Sequence, residues 1–302
     1  MASLKRTPPQ AQFAASLETD EQSAHRLADA FFERFAGAGG VSIVDAGRGR
    51  WRVTLYVGRA VEVRLARKIA SGVGVAAPDL RFSRLAAADW VAQSLAGLEP
   101  VAAGRFVVHG AHDRARVAPN RIGIEIEAAL AFGTGHHGTT RGCLLALDAM
   151  GKAQSARRPV ARILDLGTGS GVLAIAAARM LRCRVLATDI DPQAVHAARA
   201  NARRNGAGPL VEVVCGDGVA GLRRRGPFDL VFANILLAPL QRFAAALTQL
   251  LAPGARIVLS GILPGQANAI IAVYSRLTLQ RRIDCDGWTT LVFARPATLP
   301  ST

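Results

Sequence analysis

Arg162-Ile-Leu-Asp-Leu-Gly-Thr-Gly-Ser-Gly-Val-Leu-Ala-Ile-Ala-Ala-Ala-Arg179 is the stretch from which the fold can be read. An apolar strand ends at Leu166, a turn follows at Gly167, Gly169 and Gly171, and an Ala-rich helix starts at once. A backbone without Cβ can bend tightly and come close to a ligand, while the start of a helix offers unpaired N–H groups. The pattern is a nucleotide-binding elbow. A dinucleotide fingerprint, G-x-G-x-x-G, would need glycine at 172, where the chain has Val172; the spacing here is G-x-G-x-G. About a strand and a helix later, Arg184-Val-Leu-Ala-Thr-Asp189 ends in an acid that can accept from both hydroxyls of a ribose. Taken alone, the pairing is moderately specific.

Downstream, strands and helices alternate. Asp191-Pro192 opens a helix that Asn205-Gly206 ends, proline suiting the first helical turn. A strand at 210–215 leads to Asp217, which either accepts from an adenine amino group or serves as a turn residue. A strand at 228–234 finishes in Asn234, on the same edge as the glycine turn if the sheet is parallel. Its amide both donates and accepts, which suits a cofactor carboxylate or an incoming amine; the alternative is a turn-forming asparagine. Helices at 238–251 and 264–276, with strands at 255–260, 278–283 and 288–294, complete the half. A doubly wound sheet ending in a strand pair is the arrangement of S-adenosylmethionine-dependent methyltransferases rather than of most dehydrogenases.

Upstream lies Ala131-Phe-Gly-Thr-Gly-His-His-Gly-Thr-Thr140, a glycine-rich loop followed by a helical pattern through Leu144, Leu147 and Met150. Thr139 or Thr140 can cap that helix, and the loop can fold over a cofactor or act as an interdomain turn.

A chain of 302 residues that is 50% hydrophobic is expected to form two domains. We divide it into a small α+β recognition domain at 1–85, a linker helix and connecting segment at 86–119, and a methyltransferase domain at 120–302. Strands near 12–17, 41–45 and 50–57, with helices from Asp20 and over 60–70, give a ferredoxin-like β-α-β-β-α-β order. His109 and His112 form only a weak metal pair, and Cys143, Cys183, Cys215 and Cys285 show neither ligand nor disulfide spacing, so no metal is expected. Cys183 and Cys215 read as buried small hydrophobes. Thirty-seven basic against 22 acidic residues give a net charge of +15, which fits an acidic partner such as nucleic acid as well as it fits a coding bias towards arginine. No stretch reaches the roughly 18 apolar residues of a membrane span, and the expected location is cytoplasmic.

Assembled in order, these stretches resemble the bacterial ribosomal protein L11 methyltransferase family. The resemblance rests on residues 131–140 and 164–177, on Asp189-Ile-Asp-Pro-Gln-Ala194 and Asn201-Ala-Arg-Arg-Asn-Gly206, and on Ala233-Asn-Ile-Leu236 and Leu259-Ser-Gly-Ile-Leu263. It implies S-adenosylmethionine as cofactor, held by Phe132, Thr134, Thr140, Asp165, Gly167, Gly169, Gly171, Asp189, Ile190, Asp217 and Asn234. Asn234 and His137 are the candidate catalytic residues. The implied partner is a ribosomal protein whose amino groups are methylated, free or on the large subunit, with ribosomal RNA nearby and the enzyme a monomer. The N-terminal third departs from the family: Ser94 and Leu98 stand for two aromatics, His109-Gly110 for Cys-Pro, and Glu127-Ala-Ala129 for Asp-Pro-Gly. The implied reaction is in-line attack of a neutral amine on a sulfonium methyl, and freeing a lysine of its proton at pH 7 costs about 4.6 kcal/mol. Competing readings are methylation of another protein lysine or of ribosomal RNA, a nicotinamide oxidoreductase, and a non-catalytic ribosome-binding protein.

Overall fold

The computed structural model describes residues 13–34, 39–57, 62–75, 80–84, 100–126, 137–152, 160–216, 218–219 and 221–297. The chain divides into two compact units, Met1–Gly97 and Leu98–Thr302.

The first unit runs β1 (Phe13–Thr19), α1 (Glu21–Arg34), β2 (Gly39–Gly47), β3 (Arg50–Val57), α2 (Glu62–Gly72) and β4 (Arg81–Arg84). The sheet order β2-β3-β1-β4 is antiparallel at every pairing and gives the ferredoxin-like arrangement. Helix α1 starts where the Asp20 carboxylate accepts from the Ser23 N–H at 2.9 Å. Its buried Leu27 and Phe31 meet Ala66 and Ala70 of α2 over Ala15, Leu17, Val53 and Leu55 of the sheet. The outer strands β2 and β4, weakly marked in sequence, are recruited by pairing with β3 and β1.

The second unit begins with a short sheet, in order β5 (Val101–Ala103), β6 (Phe106–His109), β7 (Ile122–Glu125). Residues 100–119 are therefore not a connecting segment: Ala103, Phe106 and Ile124 are buried in one core with Leu144, Leu147 and Ala174. Asp148, itself buried, ties this sheet to the following helix through Arg105 Nε at 2.5 Å. The two histidines have different partners. His109 is buried and its Nδ1 donates to the Gly110 carbonyl at 2.8 Å, whereas His112 Nε2 lies 3.0 Å from an Asp113 carboxylate oxygen. The linker helix expected near 86–95 lies outside the described residues.

Then follow α3 (His137–Lys152), β8 (Arg162–Leu166), α4 (Val172–Leu181), β9 (Arg184–Asp189), α5 (Pro192–Arg204), β10 (Val211–Cys215), β11 (Phe228–Asn234), α6 (Leu237–Leu250), β12 (Leu251–Ile262), α7 (Ala267–Val273), β13 (Thr278–Cys285) and β14 (Trp288–Ala294). The seven-stranded order is β10-β9-β8-β11-β12-β14-β13, parallel through β12, with β14 antiparallel to both neighbours. Central parallel strands are covered on both faces and so are apolar at most positions between their ends. Ile163, Leu230, Phe232 and Val258 face the layer of α3, α4 and α5, while Leu164, Leu166, Val231 and Leu259 face α6 and α7. The helix expected over 264–276 is shorter, because buried Tyr274 leaves helical geometry to donate its hydroxyl to the Leu240 carbonyl at 2.9 Å. Cys183 is half-buried and Cys215 exposed, correcting the expectation for both; Cys215 sits where edge strand β10 leaves the sheet. No helix among the described residues is long and apolar enough to cross a membrane.

Candidate active site

The chain crosses from β8 to β9 on one side and β11 lies on the other, so the carboxyl ends of these strands frame the crevice where doubly wound sheets bind ligands. The glycine turn sits there with Gly167, Gly169 and Gly171 at φ of +69°, +53° and +84°, a region that disfavours any side chain. A Cβ on Gly171 would lie 3.1 Å from that of Ala198, so the missing side chain also lets α4 and α5 pack closely.

Two carboxylates brace the turn. Asp165, at the end of β8, is buried, and one of its oxygens accepts from the Thr168 hydroxyl at 2.6 Å and from the Ala174 N–H at 3.1 Å. Asp189, at the end of β9, accepts from the Gly169 N–H at 2.8 Å with one oxygen and from the Asp191 N–H at 3.0 Å with the other. Next to it Ile190 is 67% exposed, an uncovered apolar side chain at the mouth of the crevice. The chain thus brings together Asp165, Gly167, Gly169, Gly171, Asp189 and Ile190.

Burial, with the nearby Asp189 charge adding to it, pushes the Asp165 carboxyl from its ordinary 3.8 up to about 6. Between those values the unfolded chain gives up its proton while the native one keeps it. Native stability therefore falls as pH rises through this window, by at most about 1.4 kcal/mol per unit, and levels off above about 6. Asp165→Asn keeps an acceptor oxygen for Thr168 and Ala174 but cannot ionise. Urea unfolding between pH 4 and 7 is expected to show that decline in the parent chain and to lose most of it in Asp165→Asn.

Asn234 closes the crevice from β11. Its Nδ2 donates to Thr139 Oγ1 at 3.3 Å, so the end of β11 is tied to the first turn of α3. Thr139 is buried, and its carbonyl accepts from Ser260 Oγ of β12 at 3.3 Å, while the Ser260 and Thr290 hydroxyls are 2.8 Å apart. Gly261 has φ +87°, and a Cβ there would run into the Ile235 backbone. Gly167 meets the side chain of Ile235 in the same way, so the glycine turn and the Asn234 turn touch.

Thr139 and Thr140 lie inside the first turn of α3, not at its cap, because the helix already begins at His137. The residue of the pair that reaches Asn234 is Thr139. Sequence reasoning missed its role, along with those of Ser260, Gly261 and Thr290; the Ser-Gly pair ending an apolar strand was the available signal. Phe132, Thr134 and Asp217 lie outside the described residues, as does the side chain of His137.

The profile of the ribosomal protein L11 methyltransferase (PrmA) family matches residues 16–296. A ribosomal protein L11 methyltransferase of Rhodopseudomonas palustris is 49% identical over 283 residues, covering 91% of this chain and 95% of its own. One from Bradyrhizobium diazoefficiens is also 49% identical, over 282 residues, 91% of this chain and 94% of its own.

This chain belongs to the ribosomal protein L11 methyltransferase family.

Among solved structures, a ribosomal protein L11 methylase of Lactobacillus delbrueckii subsp. bulgaricus is similar with a TM-score of 0.58 and 27% identity, over 66% of this chain and all of that one. The family's cofactor is S-adenosylmethionine, and the crevice fits it. The three glycines of the turn leave room for a methionine moiety, each Asp189 oxygen keeps lone-pair capacity for a ribose hydroxyl, and Ile190 offers an apolar face to a flat base.

Proposed function

We propose that this L11 methyltransferase family member methylates amino groups of ribosomal protein L11, with the protein substrate held by the N-terminal unit. The observation that supports it best is the shared corner: the glycine turn braced by Asp189 lies against the turn bearing Asn234, in a chain 49% identical to a named L11 methyltransferase.

When bound, S-adenosylmethionine supplies an electrophilic methyl group on a sulfonium. In this reading Asp189 accepts from the ribose hydroxyls, Ile190 lies along the base, and the backbone of the glycine turn lines the methionine moiety. Asp165 acts one step back by fixing the turn through Thr168 and Ala174. Phe132, Thr134, Thr140, Asp217 and Asn234 complete the cofactor set. Asn234, held by Thr139, offers its amide oxygen to an N–H of the incoming amine and sets the direction of attack. His137, two residues before Thr139, helps place the amine or carries its proton. The enzyme acts as a monomer in the cytoplasm, meeting its substrate free or on the large subunit with ribosomal RNA alongside.

Labelled methyl transfer to undermethylated ribosomes and to isolated L11, followed by mass spectrometry, tests this directly. Label on L11 amines is expected; label on RNA or on another protein would overturn the substrate assignment. Asn234→Ala is expected to lower kcat about 100-fold, the scale of a reactant misplaced by about 1 Å, with cofactor affinity changed far less. A kcat within twofold of the parent would remove Asn234 from the catalytic set.

A further inference from the structure

Several arginines of this chain are paired with carboxylates. Arg52 pairs with Glu18, Arg105 with Asp148, Arg114 with Glu125, Arg225 with Glu212 and Arg282 with Asp284. Arg223 and Arg242 are not among these, and they line the same groove. Arg223, in the short helical turn Leu222–Arg224, donates to the side-chain oxygen of Gln249. Arg242, on α6, lies with its guanidinium carbon 4.7 Å from the centre of the Phe243 ring. Among the described residues no carboxylate pairs with either. An amide and an aromatic ring orient both guanidiniums without cancelling their charge, which lowers the entropy lost when they bind an anion.

Both line one open groove of about 570 Å³, whose remaining walls include Val219, Ala246 and Leu250. The groove thus sets two cations against an apolar floor. The groove is built from α6 and the segment after β10, away from Asn234 and Thr139. Nothing in the methyl-transfer geometry uses it.

We propose that this groove binds the backbone of single-stranded or looped RNA, with Arg223 and Arg242 on phosphates and a base or sugar over the apolar floor. Fixed, uncompensated guanidiniums suit phosphate, and their planes stack on bases; an acidic peptide would use the charge but leave the apolar floor without a matched partner. The inference rests on the ribosomal reading only for the source of the RNA, which places the contact on the large subunit around the substrate protein.

The test is binding of a fluorescein-labelled single-stranded RNA oligonucleotide to the full chain between about 50 and 200 mM salt, for the parent and for the Arg223→Gln/Arg242→Gln double variant. The double variant is expected to bind at least tenfold more weakly, with the slope of log K against log salt reduced by about 1.4, the value for two single-strand phosphate contacts. The Arg223→Lys/Arg242→Lys variant should recover the slope but not the full affinity. Unchanged affinity and slope in the glutamine variant, or poly-glutamate competing as well as unlabelled RNA, would overturn the proposal. Cofactor affinity and methyl transfer to isolated L11 should be unaffected in the glutamine variant. If the parent itself fails to methylate isolated L11, the proposed function fails while the RNA result stands.

Discussion

Asp189→Ala is expected to weaken S-adenosylmethionine binding by at least about 100-fold. The carboxylate holds the glycine turn through Gly169 and the start of α5 through Asp191, at 2.8 and 3.0 Å. Hydrogen bonds to a charged group contribute about 1.5–3 kcal/mol each, and alanine removes those of the apo chain together with any made to a ribose. Asp189→Asn separates the two roles. One amide oxygen still accepts, but the NH₂ must face a backbone N–H, so the turn loosens and an intermediate loss is expected. Calorimetric titration with the cofactor, beside thermal unfolding of the same variants, reads both effects. If alanine lowered the melting temperature but left cofactor affinity intact, Asp189 would be a brace of the turn and nothing more.

The second large effect is expected at a residue outside the proposed contact set. Gly261→Ala combines a left-handed φ of +87° with a Cβ only 2.9 Å from the carbonyl carbon and 3.2 Å from the nitrogen of Ile235. The obstruction is backbone, so no rotamer change relieves it. Strain at such a position costs about 1–3 kcal/mol and overpacking about as much again, so a destabilisation of about 3–5 kcal/mol is expected. The residue pushed aside adjoins Asn234, so methyl transfer should be lost even at temperatures where the variant stays folded. Gly265→Ala is the matched control, since a Cβ there meets nothing within 4 Å. A Gly261→Ala protein with parental melting temperature and turnover would show that the Ile235 turn moves freely.

What could be read from the sequence is what spacing encodes. The glycine turn, Asp189 and Asn234 are local signals at the ends of apolar runs, and the alternation after Arg162 carries the order of the sheet. Two kinds of feature were not legible. The strands at 101–125 are three or four residues long, too short for a period-2 pattern, and become a sheet only by packing on the larger unit. The contacts of Thr139 join residues 95 and 121 positions apart, so nothing in either neighbourhood announces them. Thr139 and Thr140 differ by one step along a helix, and only the direction of that step decides which reaches Asn234.

The hydroxyl cluster behind Asn234 also has an order in time. The Asp189 and Asn234 ends of the crevice come from strands made earlier, whereas the Ser260 hydroxyl gains its Thr290 partner only with the strand that returns antiparallel beside β12. A chain not yet extended to Thr290 would have the Asn234–Thr139 and Ser260–Thr139 contacts available but lack the last hydroxyl of the cluster. A strand late in the chain thus completes the support of a residue far before it.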